Sequence, residues 1–207
     1  MNIPEQRIFQ MKNSTTTPIP SVFSTHEESI IFAALDLIEE KRLKRGPALL
    51  NKDDFRRYLM LRFAGLTYEQ GHVLYLNIDH RLLAAEVEFF GSQNSVAWDM
   101  RKVVARALSL GAEHVVFAHN HPNDNHLPSE QDLDHLNWSI RALQPLNINL
   151  LDSYVVTSYG ITSIKGYKRD LDDARLATRI AEDERRSAER RAKIAATKAA
   201  KRAAASG

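Results

Sequence analysis

The chain opens polar, then places apolar residues at helical spacing, and from about residue 73 alternates short apolar runs with further helical stretches. Thr25 followed by Glu28 makes the hydroxyl-x-x-acid pattern of a capping box, and Ile30, Ile31, Ala34, Leu35, Leu37 and Ile38 supply an apolar stripe. Together they predict a helix that ends at Gly46-Pro47. A second helix is predicted from about Asp53, through Phe55, Tyr58, Leu59 and Leu61, to a stop at Gly65. Val73, Leu74, Tyr75, Leu76 and Ile78, then Leu82, Leu83, Val87 and Phe89, read as two strands joined at Asp79-His80. A helix from about Trp98 to Leu110 closes with Gly111, and Val115-Val116-Phe117-Ala118 reads as a buried strand. Ser129 to about Leu143 is helical and stopped by Pro145; Asn149 to Val156 and Gly160 to Lys165 are strands around a Ser158-Tyr159-Gly160 turn.

Strands alternating with helices, with some hairpins, predict an α/β fold: a mixed β-sheet flanked by helices, with a helical N-terminal lead-in and a basic C-terminal tail. The expected divisions are a disordered segment 1–24, the lead-in 25–66, the main domain 67–168 and an Arg/Lys/Ala-rich tail 169–207.

Composition narrows the function classes. A 43 % hydrophobic fraction over 207 residues is ordinary for one globular core with extensions. No run of apolar residues is long enough to span a membrane, and the N-terminus shows no basic-then-apolar leader. Cysteine is absent, which removes disulfides, thiolate zinc sites and cysteine nucleophiles, and fits a cytoplasmic location. The net charge of +2 hides an asymmetry: Arg185, Arg186, Arg190, Arg191, Lys193, Lys198, Lys201 and Arg202 stand against the single acid Glu189. From Leu171 onward the composition favours helix but offers no apolar face to bury, which predicts a solvated extension. Arg185, Arg186, Arg190 and Arg191 are also candidates for contacting nucleic-acid phosphates, although no aromatic residue interleaves them for base stacking.

The candidate chemistry lies in His119-Asn120-His121-Pro122 and the following Leu127-Pro128-Ser129-Glu130-Gln131-Asp132. Side chains at i and i+2 of an extended segment share a face, so His119 and His121 can reach one ion at the end of the 115–118 strand. Two neutral imidazoles and the Asp132 carboxylate suit zinc, and three protein ligands leave a fourth position for water, as in catalytic sites. Ser129 and Asp132 also read as a helix start, with Ser129 as the cap and an acid three residues on.

This motif resembles that of the JAB/MPN+ (JAMM) metallohydrolases, and in detail the RadC branch, with His-Asn-His-Pro followed by Pro-Ser-x-x-Asp. The resemblance extends over roughly residues 50 to 167. Gly71 to Asn77 is similar to the family's first long strand, Arg81 to Glu86 and Phe89-Phe90-Gly91-Ser92 to its second, and Arg101 to Leu108 to the helix before the motif. It implies His119, His121 and Asp132 as zinc ligands, and Ser129 as a hydroxyl donor to the metal water or the developing oxyanion. It also implies that Glu86 is the general base and then acid, with Glu88 as the fallback on the same strand face. The reaction implied is hydrolysis of a peptide or isopeptide amide. Three departures stand out: Asn123-Asp124-Asn125-His126 where relatives usually have Ser-Gly, Asp152-Ser153 where they tend to have Asp-His, and no glycine hairpins of a helix-hairpin-helix region in residues 1 to 50. His126 reads as a solvent-facing loop residue.

The contiguous letters His-Asn-His do not make an HNH nuclease, whose three residues are spread over two strands and a helix. Zinc deaminases need paired cysteines, which this chain lacks. The remaining alternative is a non-enzymatic RadC-like accessory of DNA repair or mobile elements. The cleft loops carry no substrate signature, and oligomeric state is not legible.

Overall fold

A computed structural model describes residues 21–48, 52–90 and 99–205. Most of the segment 1–24, expected to be disordered, lies outside the described residues. Helix α1 (Thr25–Ile38) starts one residue earlier than the Thr25/Glu28 pattern implies: Ser24 Oγ accepts from Glu27 N, and the Glu27 carboxylate accepts from Ser24 N at 2.8 Å. Both pairs satisfy the same sequence rule, so the pattern alone is ambiguous by one residue. The helix runs on into a π-helical turn, Glu39–Leu43, which brings Glu39 and Leu43 to the buried side. Ile30 and Leu37 of the predicted stripe are 57 % and 60 % exposed, so the packed face is narrower than the periodicity implies. Helix α2 spans Lys52–Arg62.

The strands are β1 (Gln70–Leu76), β2 (Leu82–Phe90), β3 (His114–Asn120), β4 (Asn149–Thr157) and β5 (Gly160–Ser163). They form one sheet in the order β2-β1-β3-β4-β5. All neighbours are antiparallel except β3 and β4, which α4 (Glu130–Leu143) connects as a parallel crossover. The α/β class and the mixed, helix-flanked sheet therefore stand as expected. Helix α3 (Met100–Leu110) is capped by Asp99 and closed by Gly111 in the left-handed region; Trp98 lies outside the described residues.

The two sheet faces make two cores. Val73, Tyr75, Val115 and Phe117 pack with Val103 of α3 and Leu136 of α4. Leu74, Leu76, Val116 and Ala118 pack with Leu35 of α1 and Leu59 of α2. Because β1 and β3 are covered on both faces, they read as continuous apolar runs rather than alternating ones.

One polar cluster sits inside the α1/α2 layer. Arg62 NH1 donates to Glu39 Oε1 (3.1 Å) and to the Tyr58 hydroxyl (3.1 Å), its Nε to His72 Nδ1 (2.8 Å), and its NH2 to the Ala85 carbonyl (2.6 Å). Arg62 and Glu39 side chains are 12 % and 3 % exposed, and these bonds are what make burying both charges tolerable. Burial, aided by the Arg62 charge, holds His72 neutral, well below the ordinary histidine range.

The strand predicted to reach Lys165 ends at Ser163, and helix α5 (Ile164–Ala205) begins at Ile164. Asp152 accounts for this switch: it accepts from the Ser163 hydroxyl (2.7 Å) and from Lys165 N (3.2 Å), an acid at the positive end of a helix. Residues from Gly166 onward form a second unit, and every residue from Asp172 to Arg191 is exposed. Among the described residues no helix is long and apolar enough to cross a membrane.

Candidate metal centre

His119 sits near the end of β3, opposite Gly71 of β1 and Val155 of β4, and its side chain is 3 % exposed. His121 stays extended beyond the strand because its N–H donates to the Val156 carbonyl at 3.0 Å. The two rings therefore fall on one side, with Nε2 to Nε2 at 3.2 Å. His121 Nδ1–H donates to the Asn125 carbonyl at 2.7 Å, which turns Nε2 toward the cluster.

Ser129 caps α4, and the capping box and the candidate ligand are one carboxylate. Asp132 Oδ2 accepts from Ser129 N (2.8 Å) and from the Ser129 hydroxyl (2.7 Å), while Asp132 Oδ1 lies 3.0 Å from His119 Nε2 and Oδ2 3.6 Å from His121 Nε2. Burial alone would raise the Asp132 carboxyl, but hydrogen bonds from His119, His121 and Ser129 outweigh it and hold the group far below the usual carboxylate range. Burial likewise works against a charged His121, and the bonds to Asp132 and Asn125 reverse the balance and raise it.

The acid that joins the histidines is Glu69, not Glu86. Glu69 precedes β1, and its Oε1 lies 3.9 Å from His119 Nε2 with the side chain 18 % exposed. Glu69, His119 and His121 form a group that could hold a metal ion. Burial pushes the Glu69 carboxyl up, opposed in part by the two histidines. Glu86 pairs with Val73, which is four residues along β1 from Glu69, or about 13 Å at strand rise. There both Glu86 oxygens accept from Arg106 Nε, at 2.9 and 3.0 Å, so the expected base is engaged in an ion pair with α3. The fallback Glu88 accepts the Tyr75 hydroxyl at 2.8 Å.

The donor set fits a small tetrahedral cation. Bonds of about 2.0–2.1 Å place tetrahedral ligand atoms about 3.3 Å apart; the two imidazole nitrogens are 3.2 Å apart, and the two Asp132 oxygens stand 3.0 Å from His119 and 3.6 Å from His121, respectively. Glu69 lies farther out, 3.9 Å from His119 Nε2.

A family model described as a RadC-like JAB domain matches residues 49–169, more than half of the chain. The chain belongs to that family. UPF0758 protein YfjY of Escherichia coli K12 is 33 % identical over 146 residues, which cover 70 % of this chain and 91 % of the relative. UPF0758 protein YeeS of the same strain is 35 % identical over 130 residues, 63 % of this chain and 88 % of the relative. UPF0758 protein PSHAa2643 of Pseudoalteromonas translucida TAC 125 is 38 % identical over 117 residues, which cover 52 % of its length.

In this RadC-like domain the unusual loop after His121 closes as its composition allows. Asp124 takes a left-handed conformation (φ 56°), its N–H donates to the His121 carbonyl at 2.9 Å, and its carboxylate accepts from Ser158 N at 2.8 Å. His126 is exposed and, with Arg56, Asp124, Thr157 and Tyr159, lines a cavity of about 310 Å³ beside the loop. Arg185, Arg186, Arg190 and Arg191 are all exposed on α5. Glu69 escaped sequence reasoning because the only signal was an acid immediately before a strand start; its meaning depends on β1 lying antiparallel to β3.

Proposed function

We propose that this protein is a zinc-dependent metallohydrolase of the JAMM type that cleaves a peptide or isopeptide amide with a metal-activated water. One observation carries the reading: two imidazole nitrogens 3.2 Å apart face one carboxylate, which sets one oxygen 3.0 Å from His119 and the other 3.6 Å from His121, with a second, separately placed acid 3.9 Å from His119. His119, His121 and Asp132 are the ligands. When bound, the ion supplies Lewis acidity toward the water and the amide carbonyl.

The chain's own groups handle the proton. Glu69, whose carboxyl burial pushes up, takes the proton from the attacking water and returns it to the departing nitrogen. Asp132, assigned to the ion as a ligand, is not the carrier of that proton. Two carboxyls at different places in the site thus divide the roles of base and ligand. Ser129 supplies the hydroxyl expected to stabilise the developing oxyanion; in this structure it donates to Asp132, so the two demands share one proton. The absence of cysteine from the sequence fits a cytoplasmic site of action.

The test is product proteomics on cells expressing wild type or Glu69→Gln, together with zinc analysis of both purified proteins. Cleavage products should appear with wild type only, and zinc content should be equal. Identical products from both would remove Glu69 from the chemistry.

A second reading rests on α5. Arg185, Arg186, Arg190 and Arg191 are exposed with no aromatic residue among them, which fits sequence-independent contact with nucleic-acid phosphates in an accessory role. A peptidase screen run beside a DNA-binding titration separates the two readings.

A further inference from the structure

Asn120 stands between the two candidate ligand histidines and is 5 % exposed. Its side-chain amide hydrogen-bonds to neither histidine. Instead, Oδ1 accepts from Gln70 N at 2.8 Å and Nδ2 donates to the Tyr68 carbonyl at 2.9 Å. One amide thus grips the backbone on both sides of Glu69. The β1–β3 ladder ends at the Gly71–His119 pair, and the Asn120 side chain takes over where the next backbone pair would fall.

We propose that Asn120 is a positioning residue that sets the Glu69 carboxylate against the metal centre, an assignment that rests on Glu69 being the proton carrier. Three features support it. A carboxamide offers a donor and an acceptor in fixed geometry, which the two opposed backbone groups require. It is also uncharged, so it holds the acid without competing for the cation or for the proton. Finally, the gripped segment is braced on its far side: Gln70 Oε1 contacts His72 Nε2 at 2.8 Å and Gln70 Nε2 donates to the Tyr68 hydroxyl at 3.2 Å. His72 in turn accepts from Arg62, so the brace reaches the buried cluster under α1 and α2. Aspartate at position 120 would keep the acceptor and lose the donor; alanine would lose both.

The experiment uses the full-length zinc-loaded protein and acetohydroxamate, which chelates zinc and gives up a proton that a neighbouring carboxylate takes. Affinity is measured by calorimetry for wild type, Asn120→Ala, Glu69→Gln and the double variant, with zinc content determined for each. Asn120→Ala should keep its zinc and bind the probe about tenfold more weakly, because an ångström of misplacement is felt strongly at a reacting centre. On the Glu69→Gln background the same substitution should change affinity by less than about twofold, since its effect passes through the carboxylate. If the alanine variant does not fold, Asn120→Ser carries the same comparison. Equal and additive losses in both backgrounds would overturn the assignment, and so would loss of zinc from the Asn120 variant, which would mean that the amide serves the histidines. Wild-type affinity in Glu69→Gln would instead remove Glu69 as proton carrier, and the assignment with it.

Discussion

Glu69 Oε1 lies 3.9 Å from His119 Nε2, although fifty residues separate the two in the chain. Antiparallel pairing of β1 with β3 brings them together, with Gly71 opposite His119 as the last backbone pair before the site. The acid therefore reaches the histidines from the strand next to theirs, while Asp132 reaches them from the first turn of a helix.

Zinc should be present at roughly one ion per chain and fall sharply in His119→Ala, His121→Ala or Asp132→Ala, because a three-ligand site cannot lose a ligand without a large loss of affinity. Elemental analysis of the purified variants decides this. Unchanged zinc in both histidine variants would end the metalloenzyme reading.

Glu86→Gln should keep zinc, cleavage and fold. Its ion pair with Arg106 is partly exposed (33 % and 42 %), so its loss should cost no more than about 1 kcal/mol in urea unfolding. A dead Glu86→Gln beside an active Glu69→Gln would reverse the assignment of the two acids.

The buried cluster predicts a large cost elsewhere. Arg62→Met strips Glu39 of its guanidinium partner while the carboxylate stays buried, and breaking such a pair from one side costs about 3–5 kcal/mol. A loss under about 1 kcal/mol in denaturant unfolding would show that Glu39's remaining partners, the Tyr58 hydroxyl among them, satisfy it.

His72 ties stability to pH. Its folded affinity for a proton lies well below the ordinary value of 6.5, so the unfolded chain binds the proton more readily. Its contribution is therefore present above pH 6.5 and lost as pH falls below it, with a slope of up to about 1.4 kcal/mol per pH unit. His72→Gln, which keeps an acceptor for Arg62, should flatten the unfolding free energy between pH 7.5 and 5.5 relative to wild type, with chelator present throughout. Parallel curves would mean that His72 does not titrate on unfolding in that window.

Deleting residues 172–207 removes only exposed side chains among those described, and should move the melting temperature by no more than about 4 °C. Any DNA affinity of the full chain should drop on this deletion and weaken steeply with salt. DNA binding that survives truncation unchanged would move the contact out of α5.

Sequence alone carried much of what depends on near neighbours. His119 and His121 share a face because strand periodicity is two, and Ser129 and Asp132 fall one helical turn apart at a cap, so the candidate ligand set and its supporting helix start are written within fourteen residues. The order of strands and helices, and the apolar runs of β1 and β3, were equally local. Tertiary structure decided what depends on register and layering. Glu86 and Glu69 are both acids beside a strand, and only the β1–β3 register and the position of Arg106 distinguish them. The π-helical turn that buries Glu39, and the meeting of Arg62 with His72, likewise come from packing α1 and α2 onto the sheet. Such choices join segments far apart in the chain, and their energies arise only when those segments are in contact.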